Sequence, residues 1–275
     1  MQCELSALKC EIQIIDDGSF QENKITNRPI QSSFIRYSEF NINQGRARVR
    51  NALSLTARGK WLLFLDNDVL LPDKLFIQRY EQIIRSEDKI VIQGGIIYPN
   101  NIDSKYSLHN IYGQSVVANQ AGKKGIKSLL SCNLLIPRNI FLEYRYDHNL
   151  ETYGHEDTLL GYQLKRDNIP LKYIPNPVIH ADLDTNTQYL EKNKHALNNL
   201  VKLFCDENTR DAVKDNRIIK AYEILKKMHL NSWATSIYLI FKKTILNNLK
   251  SRKPSLFIFK VFKLGEFNYL MQKKY

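Results

Sequence analysis

Cysteine is scarce: four residues in 275, at positions 3, 10, 132 and 205, with neither a CxxC pair nor a Cys/His zinc spacing. That usage points away from a disulfide framework or a zinc module, and a reduced, intracellular chain with its thiols packed as small hydrophobes is expected. No stretch of 18 uncharged apolar residues occurs, so no membrane-spanning helix is predicted. The opening "MQCELSALKC" has neither the basic start nor the apolar middle of a secretory leader, and a cytoplasmic location is expected. With 11 glycines and 8 prolines and no repeat, the chain is neither fibrous nor of low complexity. No G-x-G-x-x-G follows a candidate strand and no P-loop occurs, which argues against dinucleotide enzymes and P-loop NTPases.

What is present is ordinary globular composition, 43% hydrophobic and 25% charged, on a chain long enough for one large domain or a domain with an appendage. The net charge of +12 is unevenly spread: from Asp206 onward 15 Lys/Arg stand against 6 Asp/Glu, so this segment alone carries +9. Two parts are therefore expected, a domain at 1–205 and a basic helical segment at 206–275. The tail suits an anionic membrane surface. Nucleic acid is disfavoured, because the charge lies outside the motif-bearing region and is not interleaved with aromatics on a platform. Within the tail, "SWATSIYLIFKKTILNNLK" (232–250) reads as a packed helix with a basic edge or as a helix lying in the membrane interface. The second reading makes the protein peripheral on the inner face of the cell membrane.

The first two thirds alternate short apolar runs with helical patterns, the mark of βα units and a largely parallel sheet. "EIQII" (11–15) and "WLLFL" (61–65) read as strands covered on both faces. Between them, 45–59 has helical spacing and closes on Gly59. A helix is predicted from Pro72, a short strand at 89–93, loop-like chain at 98–127, a strand at 133–137, a helix at 156–167 and two extended pieces within 171–180. From 185 onward the pattern is helical.

Acidic residues cluster where strands or turns end: Asp16 and Asp17 in "IIDDGS", Asp66 and Asp68 in "FLDNDV", Glu156 and Asp157 in "YGHED". In open parallel sheets, ligands gather at the carboxyl ends of strands. Paired carboxylates are costly to desolvate unless a cation or donors balance them. Oxygen ligands suit Mg²⁺ or Mn²⁺ bridging to a diphosphate.

The ordered series "EIQIIDDGS", "NQGRARVRNAL", "WLLFLDNDVLLPDKL", "YGHEDTLLGYQL" and "VIH", over residues 11–180, resembles family 2 glycosyltransferases of the GT-A fold. It is similar to the bacterial members that end in a basic helical segment such as "KSRKPSLFIFKVFKLG". The resemblance implies a Rossmann-like α/β fold, a mainly parallel central sheet flanked by helices, with an α-helical C-terminal extension. It implies an inverting enzyme moving a sugar from a nucleotide-sugar, expected to be UDP-linked, to a glycan or lipid-linked acceptor with Mn²⁺ or Mg²⁺.

By the same resemblance Asp17 contacts the base or ribose, Arg46, Arg50 and Asn51 the donor, and Asp66 the nucleotide-sugar. Asp68 holds the metal with Asp66 and His180. Asp157 is the base that takes the acceptor proton, and its place in a first helical turn favours the ionised form. Glu156 orients the acceptor or shares that role. Cys132 and Asn133, and less directly His109 and Tyr112, match the acceptor side. Family members have a further strand and helix before residue 11; "MQCELSALKC" matches only the end of that helix, so the first strand and its nucleotide contacts are expected to be absent. An inactive nucleotide-sugar binder is the alternative reading. A sugar-phosphate nucleotidyltransferase would need a glycine-rich basic N-terminal loop that is missing.

Overall fold

The computed structural model describes residues 8–87, 89–118, 121–122, 125–126, 129–150 and 152–274, the backbone only at 121, 122, 125 and 126. The match of the first residues to a helix end lies outside the described residues. In chain order the elements are β1 (Ile12–Asp17), α1 (Gln21–Asn27), β2 (Ile35–Phe40), α2 (Arg46–Thr56), β3 (Trp61–Leu65), β4 (Val69–Leu70), α3 (Phe76–Ile84), β5 (Val91–Gln93), β6 (Ile96–Ile97) and α4 (Ser107–Tyr112). Then come β7 (Ala121–Gly122), β8 (Gly125–Ile126), β9 (Asn133–Pro137), α5 (Arg138–Tyr144), α6 (Glu156–Arg166), β10 (Leu171–Tyr173) and β11 (Val178–His180). Helices α7 (Asn186–Cys205), α8 (Arg210–Val213), α9 (Arg217–Lys227), α10 (Asn231–Lys250) and α11 (Leu256–Lys274) complete the chain.

Two compact units are formed. The first comprises Met1–Ile96, Gln120–Glu151 and Leu160–Ile179; the second comprises Ile97–Asn119, Thr152–Leu159 and His180–Tyr275. The expected boundary at 205/206 therefore falls inside the second unit.

The first unit is the α/β part. Its largest sheet runs β10-β5-β9-β3; β5 and β10 are parallel, whereas β9 is antiparallel to both neighbours. Strands β1 and β2 form a parallel pair of their own, and β4-β11-β6 form a third sheet. β9 is the strand buried at all five positions. In β3 only Leu62 and Phe64 are buried and Leu65 is exposed, so the expectation of burial on both faces is corrected. Successive side chains alternate between the two faces of a strand, so Leu62 and Phe64 share the covered face and Trp61, Leu63 and Leu65 the less covered one. Leu62 and Phe64 meet Leu134, Ile136, Phe141 and Tyr146 in the core, with Phe64 and Phe141 ring centroids 4.8 Å apart. That packing fixes the end of β3, and with it the position of Asp66.

The second unit is built from α4, the first turn of α6 and α7–α11. Leu108, Tyr189, Leu190, Tyr238, Leu249, Phe259 and Phe262 form its core. The chain enters α7 through a capping box in which the Thr185 side chain accepts from the Gln188 N–H and the Gln188 side chain accepts from the Thr185 N–H. Phe204 of α7 packs edge-on against Tyr222 and tilted against Phe267. Helices α10 and α11 thus share a core with residues before 205. Helix α4 lies in the stretch read as loop, and buried Leu108 explains it: the helix is held by core contacts that local periodicity does not reveal. Among the described residues no helix is long and apolar enough to cross a membrane. Cys10, Cys132 and Cys205 are thiols.

Candidate active site

In the first unit the acidic strand ends are built into the chain by donors. Asp17, the last residue of β1, accepts from the backbone N–H of Gln44 (2.7 Å) and of Gly45 (2.9 Å). Asp16 accepts from the Ser19 N–H at 2.8 Å. Gly18 makes this turn possible: its φ is +79°, and a Cβ there would lie 2.4 Å from the Asn43 nitrogen. The Asp17 clamp therefore positions the loop that leads into α2. Each carboxylate oxygen keeps a second lone pair for a further donor.

Arg46 and Arg50 are four residues apart on α2 and so project from one face. Both reach Asp66 at the end of β3, Arg46 Nη2 donating to Oδ2 at 2.8 Å and Arg50 Nη2 to Oδ1 at 2.5 Å. Burial pushes the Asp66 carboxyl up, but the charges and hydrogen bonds of the two guanidiniums outweigh it and hold the group below the ordinary carboxylate range. The Arg50 guanidinium also lies 5.6 Å from the centre of the Tyr146 ring. Asn51 braces this assembly: its Nδ2 donates to the Tyr146 carbonyl (2.9 Å) and its Oδ1 accepts from the Tyr146 N–H (3.0 Å).

Three of the expected site residues are held by protein partners. Asn51 has both ends of its amide engaged by backbone, so it holds Tyr146 under Arg50. Asp66, expected among the metal ligands, has each oxygen engaged by a guanidinium, and two positive groups already balance it. Asn133, expected to line the acceptor side, is fully buried; its Oδ1 accepts from Tyr80 Oη at 2.6 Å and its Nδ2 donates to the carbonyls of Gly95 and Asn176. It is an interior brace between strands.

In the second unit, Glu156 and Asp157 open α6. Glu156 is buried, and its Oε2 accepts from the Gly154 N–H at 2.9 Å, closing the turn into the helix. Asp157 is half-buried in the same first turn, where free N–H groups and the helix dipole favour an anion. The turn before it is strained: φ is +108° at Gly154 and +72° at His155. Asn199, a fully buried polar residue inside α7, ties it down. Its Nδ2 donates to the carbonyls of Thr152 and Gly154, and its Oδ1 accepts from Thr152 Oγ1. Sequence reading missed this residue; an Asn on the apolar face of a long helix was the available signal.

Gly154→Ala is expected to destabilise the chain by about 1–3 kcal/mol, because its Cβ would lie 2.6 Å from that of Ala196 at a φ of +108°. A lowered urea midpoint checks this.

His180 ends β11 and joins a ring cluster. His109 lies edge-to-face with it at 4.9 Å and stacks on Tyr189 at 4.3 Å, while Tyr98 lies 5.2 Å from His180. Burial, followed by the charges of His180 and Lys192, lowers His109 to about 3. His109 is thus neutral, and its Nδ1 accepts from the Asp184 N–H at 3.0 Å, which leaves the proton on Nε2. Tyr112 receives a hydrogen bond from Lys263 Nζ at 3.2 Å. Burial and the charge of Lys263 lower His155 to about 4. Among the described residues no three His, Cys, Asp or Glu side chains gather as a metal cage.

The model of the family described as glycosyl transferase family 2 matches residues 2–145, 144 of the 275 residues. No curated protein sequence matches. Among solved structures, the mannosyltransferase PcManGT of Pyrobaculum calidifontis, in complex with GDP-Man and Mn²⁺, aligns with a TM-score of 0.53 at 11% identity, covering 97% of this chain and 77% of that one. GalNAc-T7 with UDP, GalNAc and Mn²⁺ aligns at 0.52 and 15% identity, over 77% and 45%. A mycobacterial protein aligns at 0.47 and 13% identity over 70% of this chain, which spans 63% of that protein's length. The motif series, the GT-A fold and the family match agree: the chain belongs to glycosyl transferase family 2, a family of glycosyltransferase enzymes.

Proposed function

We propose that this chain moves a sugar from a nucleotide-sugar, UDP-linked, to a hydroxyl of a glycan or lipid-linked acceptor by a single inverting displacement. The observation that carries the reading is the pair of guanidiniums of Arg46 and Arg50 fixed on Asp66 at the carboxyl end of β3. Such charge, held before the reaction, stabilises a departing nucleoside diphosphate without reorganising during it. Arg46, with the more exposed side chain of the two, is the one that turns to the diphosphate. Asp17 holds the loop under the nucleoside.

Asp157 accepts the acceptor's hydroxyl proton as that oxygen bonds to the anomeric carbon and the bond from that carbon to the diphosphate oxygen breaks. Glu156 fixes the turn that aims Asp157. A carboxylate is a donor that fits Mn²⁺ or Mg²⁺, so Asp68 is the residue of the first unit that would hold it. When bound, the ion supplies Lewis-acid neutralisation of the leaving group. PcManGT was solved with GDP-Man and GalNAc-T7 with UDP, both with Mn²⁺, which supports a nucleotide donor and a divalent ion.

A panel of UDP- and GDP-sugars offered to the purified chain with Mn²⁺ or Mg²⁺ tests this. One donor is expected to release its nucleoside diphosphate, and EDTA should lower that rate by about 10²-fold or more, with Mn²⁺ restoring it. Donor binding without turnover would favour the inactive relative, and no binding of any donor would sink both readings.

A further inference from the structure

Helices α10 and α11 form a hairpin with two unlike sides. One side enters the core of the second unit through Tyr238, Leu249, Phe259 and Phe262. The other side is apolar too, but it faces outward. A groove of about 440 Å³ runs along it, lined by Trp233, Ile237 and Phe241 of α10 and by Phe257, Val261 and Leu264 of α11. Trp233 is 65% exposed, Ile240 73%, Phe241 54% and Phe257 73%. Large apolar groups so exposed on one face mark an interaction surface. Because the opposite side is locked in the core, this face is preformed and needs no folding on contact.

The charge around the face selects its partner. Residues 231–275 hold nine Lys/Arg and one acidic residue, Glu266. Glu266 is buried, accepting hydrogen bonds from Tyr238 Oη and from Lys242 Nζ. No carboxylate side chain from this segment is therefore exposed, whereas Lys243, Lys250, Arg252, Lys253 and Lys260 all are. A second copy seated here would set these cations against their own kind, which like-charge repulsion disfavours. An anionic bilayer meets both halves of the pattern: Trp and Phe side chains enter the headgroup boundary, and the lysines stay in water against the lipid phosphates.

We propose that the α10–α11 face is a preformed docking surface for an anionic lipid bilayer, lying in the plane of the interface. It goes beyond the sugar-transfer reading and does not depend on it, because membrane partition is measured without donor or acceptor.

The test is co-sedimentation of the full chain with phosphatidylcholine vesicles containing about one third phosphatidylserine, and with phosphatidylcholine alone. Binding is expected on the anionic vesicles and should fall as salt is raised. Lys243→Gln and Lys260→Gln should each weaken it about fivefold, and Ile240→Gln with Phe257→Gln about tenfold or more. These side chains are exposed, so an unchanged unfolding midpoint is expected for each variant. Ile25→Gln, an exposed apolar residue of α1, should leave binding intact. Equal binding to neutral vesicles, an equal loss in Ile25→Gln, or no loss in the Ile240/Phe257 pair would overturn the proposal. So would a dimer in light scattering that Phe257→Gln dissolves while vesicle binding is absent from the start.

Discussion

Asp157→Asn should reduce sugar transfer by about 10²–10⁴-fold, the range that a positioned general base contributes, with little change in the unfolding midpoint. The amide keeps the size of the carboxylate, loses its charge and basicity, and puts an NH2 donor in place of one acceptor oxygen. In the first turn of α6 that charge is worth about 0.3–1 kcal/mol through the helix dipole, a small part of a typical domain's stability. Glu156 behaves differently. Its carboxylate is buried and closes the Gly154 turn, so Glu156→Gln disturbs the loop as well as the chemistry. The informative comparison is donor affinity against turnover. With the donor's own contacts intact, Asp157→Asn should bind nucleotide-sugar as the unaltered chain does and fail to transfer it. If the variant transfers at an undiminished rate, the role assigned to Asp157 is wrong, whatever else the fold holds.

The parts of the molecule legible in sequence are those where a local pattern and the tertiary demand coincide. "WLLFL" became β3 at its predicted bounds, and "NLLIP" became β9, because an apolar run ended by charge or proline has few other uses. β2 escaped notice since "IRYSEF" mixes polar and apolar residues, and its strand form is supplied by parallel pairing with β1. Helix α3 starts at Phe76, four residues after the proline that was expected to open it. Asp73 holds the intervening turn by accepting from the Leu75 N–H. In the site, residue types were readable but partners were not. Asp66 could be picked out as a strand-end acid, yet that Arg46 and Arg50 would both close on it depends on how α2 lies against β3. Asn133 and Asn199 show the converse: polar residues in apolar settings look like site residues or noise, and here each ties backbone carbonyls that secondary structure leaves without partners.

The largest stability effect is expected at Arg50. Its side chain is 9% exposed and that of Asp66 16%, so the pair is shielded from water, and removing Arg50 leaves the carboxylate with Arg46 alone as its guanidinium partner. Arg50→Ala should cost about 3 kcal/mol, the lower end for a broken shielded pair, because Arg46 still faces Asp66. Arg46→Ala should cost less, because the Arg46 side chain is 41% exposed and an exposed ion pair is worth at most about 1 kcal/mol. Acid separates this electrostatic effect from simple loss of packing. The folded-state pKa of Asp66 lies below its ordinary value of 3.8, so its contribution is fully present above that value and is lost as pH falls through the folded pKa. Urea midpoints of Arg50→Ala and the unaltered chain should therefore lie far apart at neutral pH and draw together on acidification below the ordinary carboxylate range. Arg50→Lys keeps the charge but not the planar fork that reaches Asp66 while lying against Tyr146, and should fall between the two. If the gap between Arg50→Ala and the unaltered chain stays constant with pH, Arg50 acts through packing on Tyr146 and the guanidinium pair is not what holds the end of β3.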